Sequence, residues 1–344
     1  MKPLAIRAAG MVTPVGFDSA STCAAIRGGI NTAAETRFMA AEGEWLMGCQ
    51  VPLNPPVTGM TRLVRLVAPA IEECLAAAAP LRAQDIPLLL CGAAKDRPGR
   101  FEDLETELLA GIERHLGVKF HPETALGFKG QVSVALALKT AERMVHERRL
   151  PACVIASVDT LLVGATIEPF LKRRLLLTAE NSDGCIPGEA GVALLATAPG
   201  RSRDPELHCV GVGMAVEKVT VDSEEPLRAE GMTQAFRAAL KDAGFGFEQV
   251  DYRIADVSGK QYAFREAALA VGRTLRINKT SFELWHPADC VGDVGAAVGP
   301  LILGVALTAA RKGYAPGRGV LCHFGNEDGA RAAVVLRWSE GKAA

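Results

Sequence analysis

Gln131 stands where a glycine-rich stretch, Ala125-Leu126-Gly127-Phe128-Lys129-Gly130, runs into the helical pattern Val132-Ser133-Val134-Ala135-Leu136-Ala137-Leu138. Such a turn aims the first helical side chain and the free N–H groups of the helix start at one space. Enzymes use that place for a cysteine or serine nucleophile, whose anion the helix N-terminus favours. Glutamine cannot attack. Lys129 and Gly130 could cradle an anion there, although the simpler reading is that Gly127 and Gly130 allow a tight turn. Three further loops carry reactive residue types. Asp256 closes a strand-like run, His286, Cys290, Gly292 and Asp293 precede a long apolar helix pattern, and Cys322, His323 and Phe324 close another strand-like run. Cys290 with His286, or Cys322 with His323, would make a nucleophile–base pair. Neighbours on a strand face opposite ways, which argues against the second pair. His286, Asp289, Cys290 and Asp293 match no usual metal-ligand spacing, so neither a metal nor a cofactor is expected.

The elements that must hold these residues alternate between strand and helix. Strands are predicted over 4–9, 86–91, 153–158, 192–197, 207–212, 251–257, 319–323 and 330–336. Helices are predicted up to about Arg27, through Leu63, Leu66, Val67, Ala70, Ile71 and Cys74, from Gln131 to about Arg148, and over Met232, Ala235, Phe236 and Ala239. Two more are expected near 264–274 and from Val294, where Asp293 suits the N-cap and Arg311 and Lys312 the C-terminal dipole end. Pro69 is a potential kink in the second helix. Residues 37–56 read as an irregular surface excursion, and the charged stretch 102–114 as a solvent-facing helix. The polar, proline-bearing stretch 199–205 is the best junction, dividing the chain into 1–200 and 201–344. Strand–helix alternation in two successive halves predicts an α/β architecture.

Composition narrows the classes. Of 344 residues 49% are apolar and 22% charged, the signature of a folded core. The net charge of −1 gives no reason to expect nucleic acid or an anionic membrane as partner. Nine scattered cysteines, an odd number without a C-x-x-C, fit buried thiols of a reducing compartment. The apolar run 294–310 is short for a membrane span and broken by glycines and a proline. A cytoplasmic protein is expected.

Three motifs carry a family resemblance. Gly10-Met11-Val12-Thr13-Pro14-Val15-Gly16, the loop 181–189 preceded by Arg174-Leu175-Leu176-Leu177-Thr178, and the small-residue start Gly295-Ala296-Ala297 occur in an order and spacing that resemble the β-ketoacyl synthases. The resemblance covers nearly the whole chain and implies a thiolase-like αβαβα sandwich of two similar βαβαβαββ halves, paired as a dimer through the N-terminal half. It also implies a catalytic cysteine and two histidines. Matched position by position, these are replaced: Gln131 stands for the cysteine, Asp256 for the first histidine, and Gly292 (or Asp293, with a one-residue gap) for the second. The Gly-Phe-Gly-Gly turn is altered to Phe324-Gly325-Asn326-Glu327. An ionised aspartate only accepts hydrogen bonds and cannot polarise a carbonyl as imidazole does. The expected function is therefore that of a non-condensing pseudoenzyme, acting as partner subunit, scaffold or adaptor. Its partners would be a second thiolase-fold chain, the same or different, an acyl carrier protein, or another client. The alternative is an acyl-thioester enzyme, a decarboxylase using Gln131 or an acyltransferase using a relocated cysteine.

Overall fold

The computed structural model describes residues 1–40, 43–200 and 204–341. Its first half carries β1 (Leu4–Val12), α1 (Ser19–Arg27), β2 (Ala34–Met39), β3 (Trp45–Gly48), α2 (Gly59–Ala77), β4 (Leu88–Cys91) and α3 (Leu104–Leu116). There follow β5 (Ala125–Gly127), α4 (Ser133–His146), β6 (Cys153–Thr160), α5 (Gly164–Lys172) and β7 (Glu189–Thr197). The second half carries β8 (Glu206–Val216), α6 (Glu230–Ala243), β9 (Tyr252–Ala255), α7 (Gln261–Thr274), β10 (Leu284–Trp285), α8 (Ala288–Val291), α9 (Val298–Arg311), β11 (Gly319–Gly325) and β12 (Ala330–Ser339). Of the junction predicted at 199–205, residues 201–203 lie outside the described residues.

All strands but β2 and β3 join one sheet, in the order β10-β9-β11-β12-β8-β1-β7-β6-β4-β5. Outward from the β1–β8 seam, each half repeats one rank order: its first, fifth, fourth, second and third strand. The fold is thiolase-like, with two copies of a βαβαβαββ unit. Layering follows from which side chains each strand sends to each face. Along β4, Leu88 and Leu90 join an outer core with Leu66 of α2 and Leu108 of α3. Leu89 and Cys91 alternate to the other face and join a central core with Leu138 of α4 and Leu301 of α9. In the second half Leu321 and Val335 pack outward on Phe236 of α6 and Ala270 of α7. The middle layer, α4 and α9, thus touches strands of both halves.

Two glycines set the closeness of α2. A Cβ on Gly10 would lie 2.0 Å from the Ala70 carbonyl oxygen, and one on Gly191 would lie 2.2 Å from that of Leu66. The helix packs backbone to backbone on β1 and β7, and runs through Pro69 unbroken.

Three expectations are corrected. The excursion at 37–56 takes in the end of β2 and the whole of β3, which pair as a hairpin. The charged helix at 102–114 is not wholly solvated, because Leu104, Leu108 and Ile112 of α3 recur every fourth residue and are buried. The glycine-rich stretch before Gln131 begins as an edge strand, β5, pairing with β4. All nine cysteines are free and buried, and no helix among the described residues is long and apolar enough to cross a membrane.

Candidate functional site

Strands β4, β5 and β6 run parallel, as do β9, β10 and β11, so each set delivers its carboxyl ends to one side. In α/β sheets that side is where loops converge into sites. Both middle-layer helices also begin there, each through a 3-10 turn, Gly130–Val132 before α4 and Gly295–Ala297 before α9. The two turns meet, leaving room for no side chain at Gly299, whose Cβ would lie 2.4 Å from Val134.

Gln131 sits in the first of these turns. The turn is fixed by Asn326, which accepts from the Val132 N–H (3.4 Å) and donates to the Lys129 carbonyl (2.8 Å). Gly130 has φ +66°, and a Cβ there would meet Asn326 at 2.9 Å, so glycine is required by both backbone and space. That favours the tight-turn reading over an anion cradle. The Gln131 side chain is half-buried and faces two adjoining chambers, of about 70 and about 300 Å³. Among the described residues none hydrogen-bonds its amide.

Carboxylates ring the chambers, and those at the helix starts and strand ends have definite partners. Asp293 accepts from the Gly295 N–H (3.0 Å) and the Ser258 hydroxyl (3.1 Å), with Lys260 at 3.7 Å. Asp159, at the end of β6, accepts from the Ala296 N–H (3.0 Å) and pairs with Arg97 (2.9 Å). These two carboxylates therefore cap the start of α9, where the helix dipole favours negative charge. Burial nonetheless pushes the Asp159 carboxyl up, against the pull of Arg97. Glu327 pairs with Lys260 (3.1 Å) and Arg173 (2.8 Å). Burial alone would raise its carboxyl, but these two cations hold it below the usual range. Asp256, after β9, accepts from the Gly325 N–H (2.8 Å). Burial, reinforced by Asp293 and Glu266, pushes it up to about 7.

The smaller chamber ends on His323 of β11, 1% exposed, whose ring packs at a tilt against Phe236 with centroids 5.1 Å apart. Neither ring nitrogen has a partner among the described residues. Burial, with Arg253 nearby, pulls its pKa down to about 3, so the ring is neutral. Beside it Glu266 takes both its bonds from the Arg331 Nε, at 2.8 and 2.9 Å.

No family model matches the chain. It is 31% identical over 203 residues to the actinorhodin polyketide β-ketoacyl synthase 2 of Streptomyces coelicolor, covering 54% of this chain and 48% of that protein. The chain spans about half the length of this curated relative. A complex of a type II polyketide acyl carrier protein with its ketosynthase contains a chain that superposes with TM-score 0.80 at 14% identity, over 98% of this chain and 99% of that one. The ketosynthase ApeO in complex with its chain length factor ApeC, from Xenorhabdus doucetiae, gives 0.75 at 14% identity, over 98% of each chain. The fold is that of the β-ketoacyl synthases.

On this ketosynthase-like fold four of the residues singled out from sequence come together: Gln131, Asp256, Asp293 and His323 all line the smaller chamber. Asp293, not Gly292, faces it. Gly292 is turned away in a left-handed conformation (φ +72°), with space for a Cβ closed by Ile186 and Cys49. His286, Cys290 and Phe324 do not line either chamber. The His286 Nδ1 lies 2.9 Å from Asp289 and its ring meets Phe264 edge-on. Cys290 is buried, its thiol 3.9 Å from the Ile26 carbonyl and pushed up by burial. Phe324 belongs to the central core, as does Cys322, on the opposite sheet face from His323. Neither suggested cysteine–histidine pair forms. Cys185 lies near Asp293 and Lys260, but is wholly buried and its thiol is pushed up to about 12. A thiol held neutral is a poor nucleophile.

Sequence reasoning missed Lys260, Asn326 and Glu327, along with Arg97, Asp159 and Arg173. Lys260 and Glu327 were within reach, being charged residues four positions past Asp256 and three past Phe324, in loops already marked.

Proposed function

We propose that the protein is a non-condensing partner subunit, with halves 1–200 and 201–344, that pairs with a cysteine-bearing ketosynthase. The observation that carries this reading is the nucleophile post itself: an intact turn, helix start and chamber built around a Gln131 amide that cannot be acylated. The histidine posts hold Asp256 and Asp293, which accept from the Gly325 and Gly295 N–H groups and leave no imidazole to polarise a thioester carbonyl. The fold likeness to a ketosynthase found in complex with its chain length factor supports a pairing role. An exposed sheet edge also supports it. Strand β5 ends the sheet and exposes Leu126, while Leu136 is exposed on α4, the helix packed beside it. An open edge strand flanked by apolar side chains invites a second chain's strand.

Co-expression with ketosynthases from the same genome, followed by size-exclusion chromatography, tests this. The wild-type chain should co-elute as a heterodimer, and Leu126→Arg should abolish it while leaving the chain folded. Incubation with acyl and malonyl thioesters should leave the intact mass unchanged. A covalent acyl adduct on any cysteine of this chain, or carbon dioxide release from malonyl thioesters that Gln131→Ala removes, would replace this reading with an enzymatic one.

A further inference from the structure

The two chambers share Gln131, Asp293, Asn326 and Glu327 in their walls and so form one continuous site. In the smaller chamber the hydrogen-bonding capacity is unbalanced. Its cationic donors are committed: Lys260 to Glu327 and Asp293, and Arg331 to Glu266, the Asn326 carbonyl and the Tyr262 hydroxyl, whereas in the larger chamber the Arg97 Nε is buried without a partner among the described residues. Acceptors are left over. Gly325 reaches one oxygen of Asp256, and the other is without a donor among the described residues. The acceptor nitrogen of the buried, neutral His323 and the Gln131 carbonyl oxygen are likewise unused. Buried polar groups in folded proteins are satisfied by protein, water or ligand. The chamber of about 70 Å³ that carries these groups adjoins one of about 300 Å³, and together they have room for more than water. At its mouth stand three more carboxylates, Asp96, Asp222 and Asp328, and of these Arg173 pairs only with Asp222.

We propose that this site binds a small linear organic cation, a diamine or polyamine. One ammonium donates to Asp256, His323 and the Gln131 carbonyl oxygen, and the distal ammonium lies at the carboxylates of the mouth. The chemistry of the wall selects this class. An ammonium brings three donors and no acceptor, the complement of what the inner chamber lacks. An acyl chain would leave the same groups unpaired and desolvated. A metal ion is a poorer fit, since no group of three metal-ligating side chains occurs among the described residues. The inference goes beyond pairing with a ketosynthase and does not depend on it.

Isothermal titration of the isolated full chain with putrescine and spermidine, in buffer of physiological ionic strength, tests it. Saturable one-to-one binding is expected, with malonate giving no heat. Asp256→Asn keeps an acceptor for the Gly325 N–H but removes the charge, and should weaken binding at least tenfold. Gln131→Phe, which fills the junction of the chambers from a half-buried position, should abolish it. Absence of saturable binding, or binding unmoved by both substitutions, overturns the proposal. Pairing is read separately by chromatography without amine, so failure of either inference leaves the other standing.

Discussion

Asp256 and His323 are both displaced from their ordinary protonation ranges, with opposite consequences for stability. His323 is held neutral, with its pKa pulled from 6.5 to about 3. The unfolded chain takes up that proton first, so acidification below about 6.5 costs stability through this residue. Asp256 is raised from 3.8 to about 7, so between these values the unfolded chain releases its proton first. Stability contributed here is full below about 4 and is lost as pH rises toward 7, after which the cost is constant. Asp256→Asn should therefore raise the melting temperature at pH 8, by a margin that shrinks steadily toward pH 4. A gain that does not vary with pH would mean that Asp256 carries no unusual proton. At this scale the site was half legible. Gln131, Asp256 and Asp293 follow strand-like runs or open helices, which sequence marks. The ion pairs of Lys260, Glu327, Arg173 and Arg97 join loops far apart in the chain, and no local spacing records such encounters. His323 was marked, but its lack of partners is a property of packing alone.

The helices and strands were more legible than the contacts that lock them. Periodicity identified α2, α6 and the buried α9, and apolar runs identified β4, β6 and β7, because burial of one helix face or both strand faces writes itself into residue spacing. Short α5 and the hairpin β2–β3 bury only a few side chains each, such as Ile167 and Phe170 on α5 and Leu46 on β3, too few to make a period. Least visible was the clasp that fastens α2. Arg62 on that helix is bidentate to Glu189 of β7, with the Nε at 2.8 Å, and also donates to the Val51 carbonyl at 2.7 Å. Glu189 accepts in turn from the Val51 N–H at 2.9 Å. Both side chains are buried, Glu189 completely. Helix, strand and the segment before α2 therefore share one ion pair. Removing a single partner leaves an uncompensated charge in the interior, which costs about 3–5 kcal/mol. Glu189→Gln preserves the shape and should lower stability by about that amount in denaturant titrations. The double variant Arg62→Met, Glu189→Leu should recover much of it, since the desolvation cost disappears with the charges. A single substitution costing less than about 1 kcal/mol would show that water reaches the pair.

At the scale of the whole molecule, the repeat of two halves hides their dependence on each other. The central core draws Leu138 and Ala141 from α4, Leu301 and Val305 from α9, and inward-facing residues from strands on both sides of the β1–β8 seam, such as Ile155 and Val334. Neither half can cover its inner sheet face with its own middle helix alone, because α4 also packs on β8 and β12 and α9 also packs on β1 and β7. Loss of one half would expose the central layer of the other. One close approach within this layer lies beside the site, where Gly299 of α9 meets Val134 of α4. Gly299→Val would drive the two helix starts apart, an overpacking that typically costs about 1–3 kcal/mol. If the layer couples the halves, this loss appears in a single transition. Far-ultraviolet circular dichroism should then coincide with tryptophan fluorescence, which reports from Trp45 in the first half and Trp285 and Trp338 in the second. The shifted core should also weaken the turn that presents Gln131, so spermidine affinity should fall with stability even though Gly299 touches neither chamber. Two separated transitions, or lost stability with unchanged affinity, would mean that the halves fold independently and that the site does not rest on the layer beneath it.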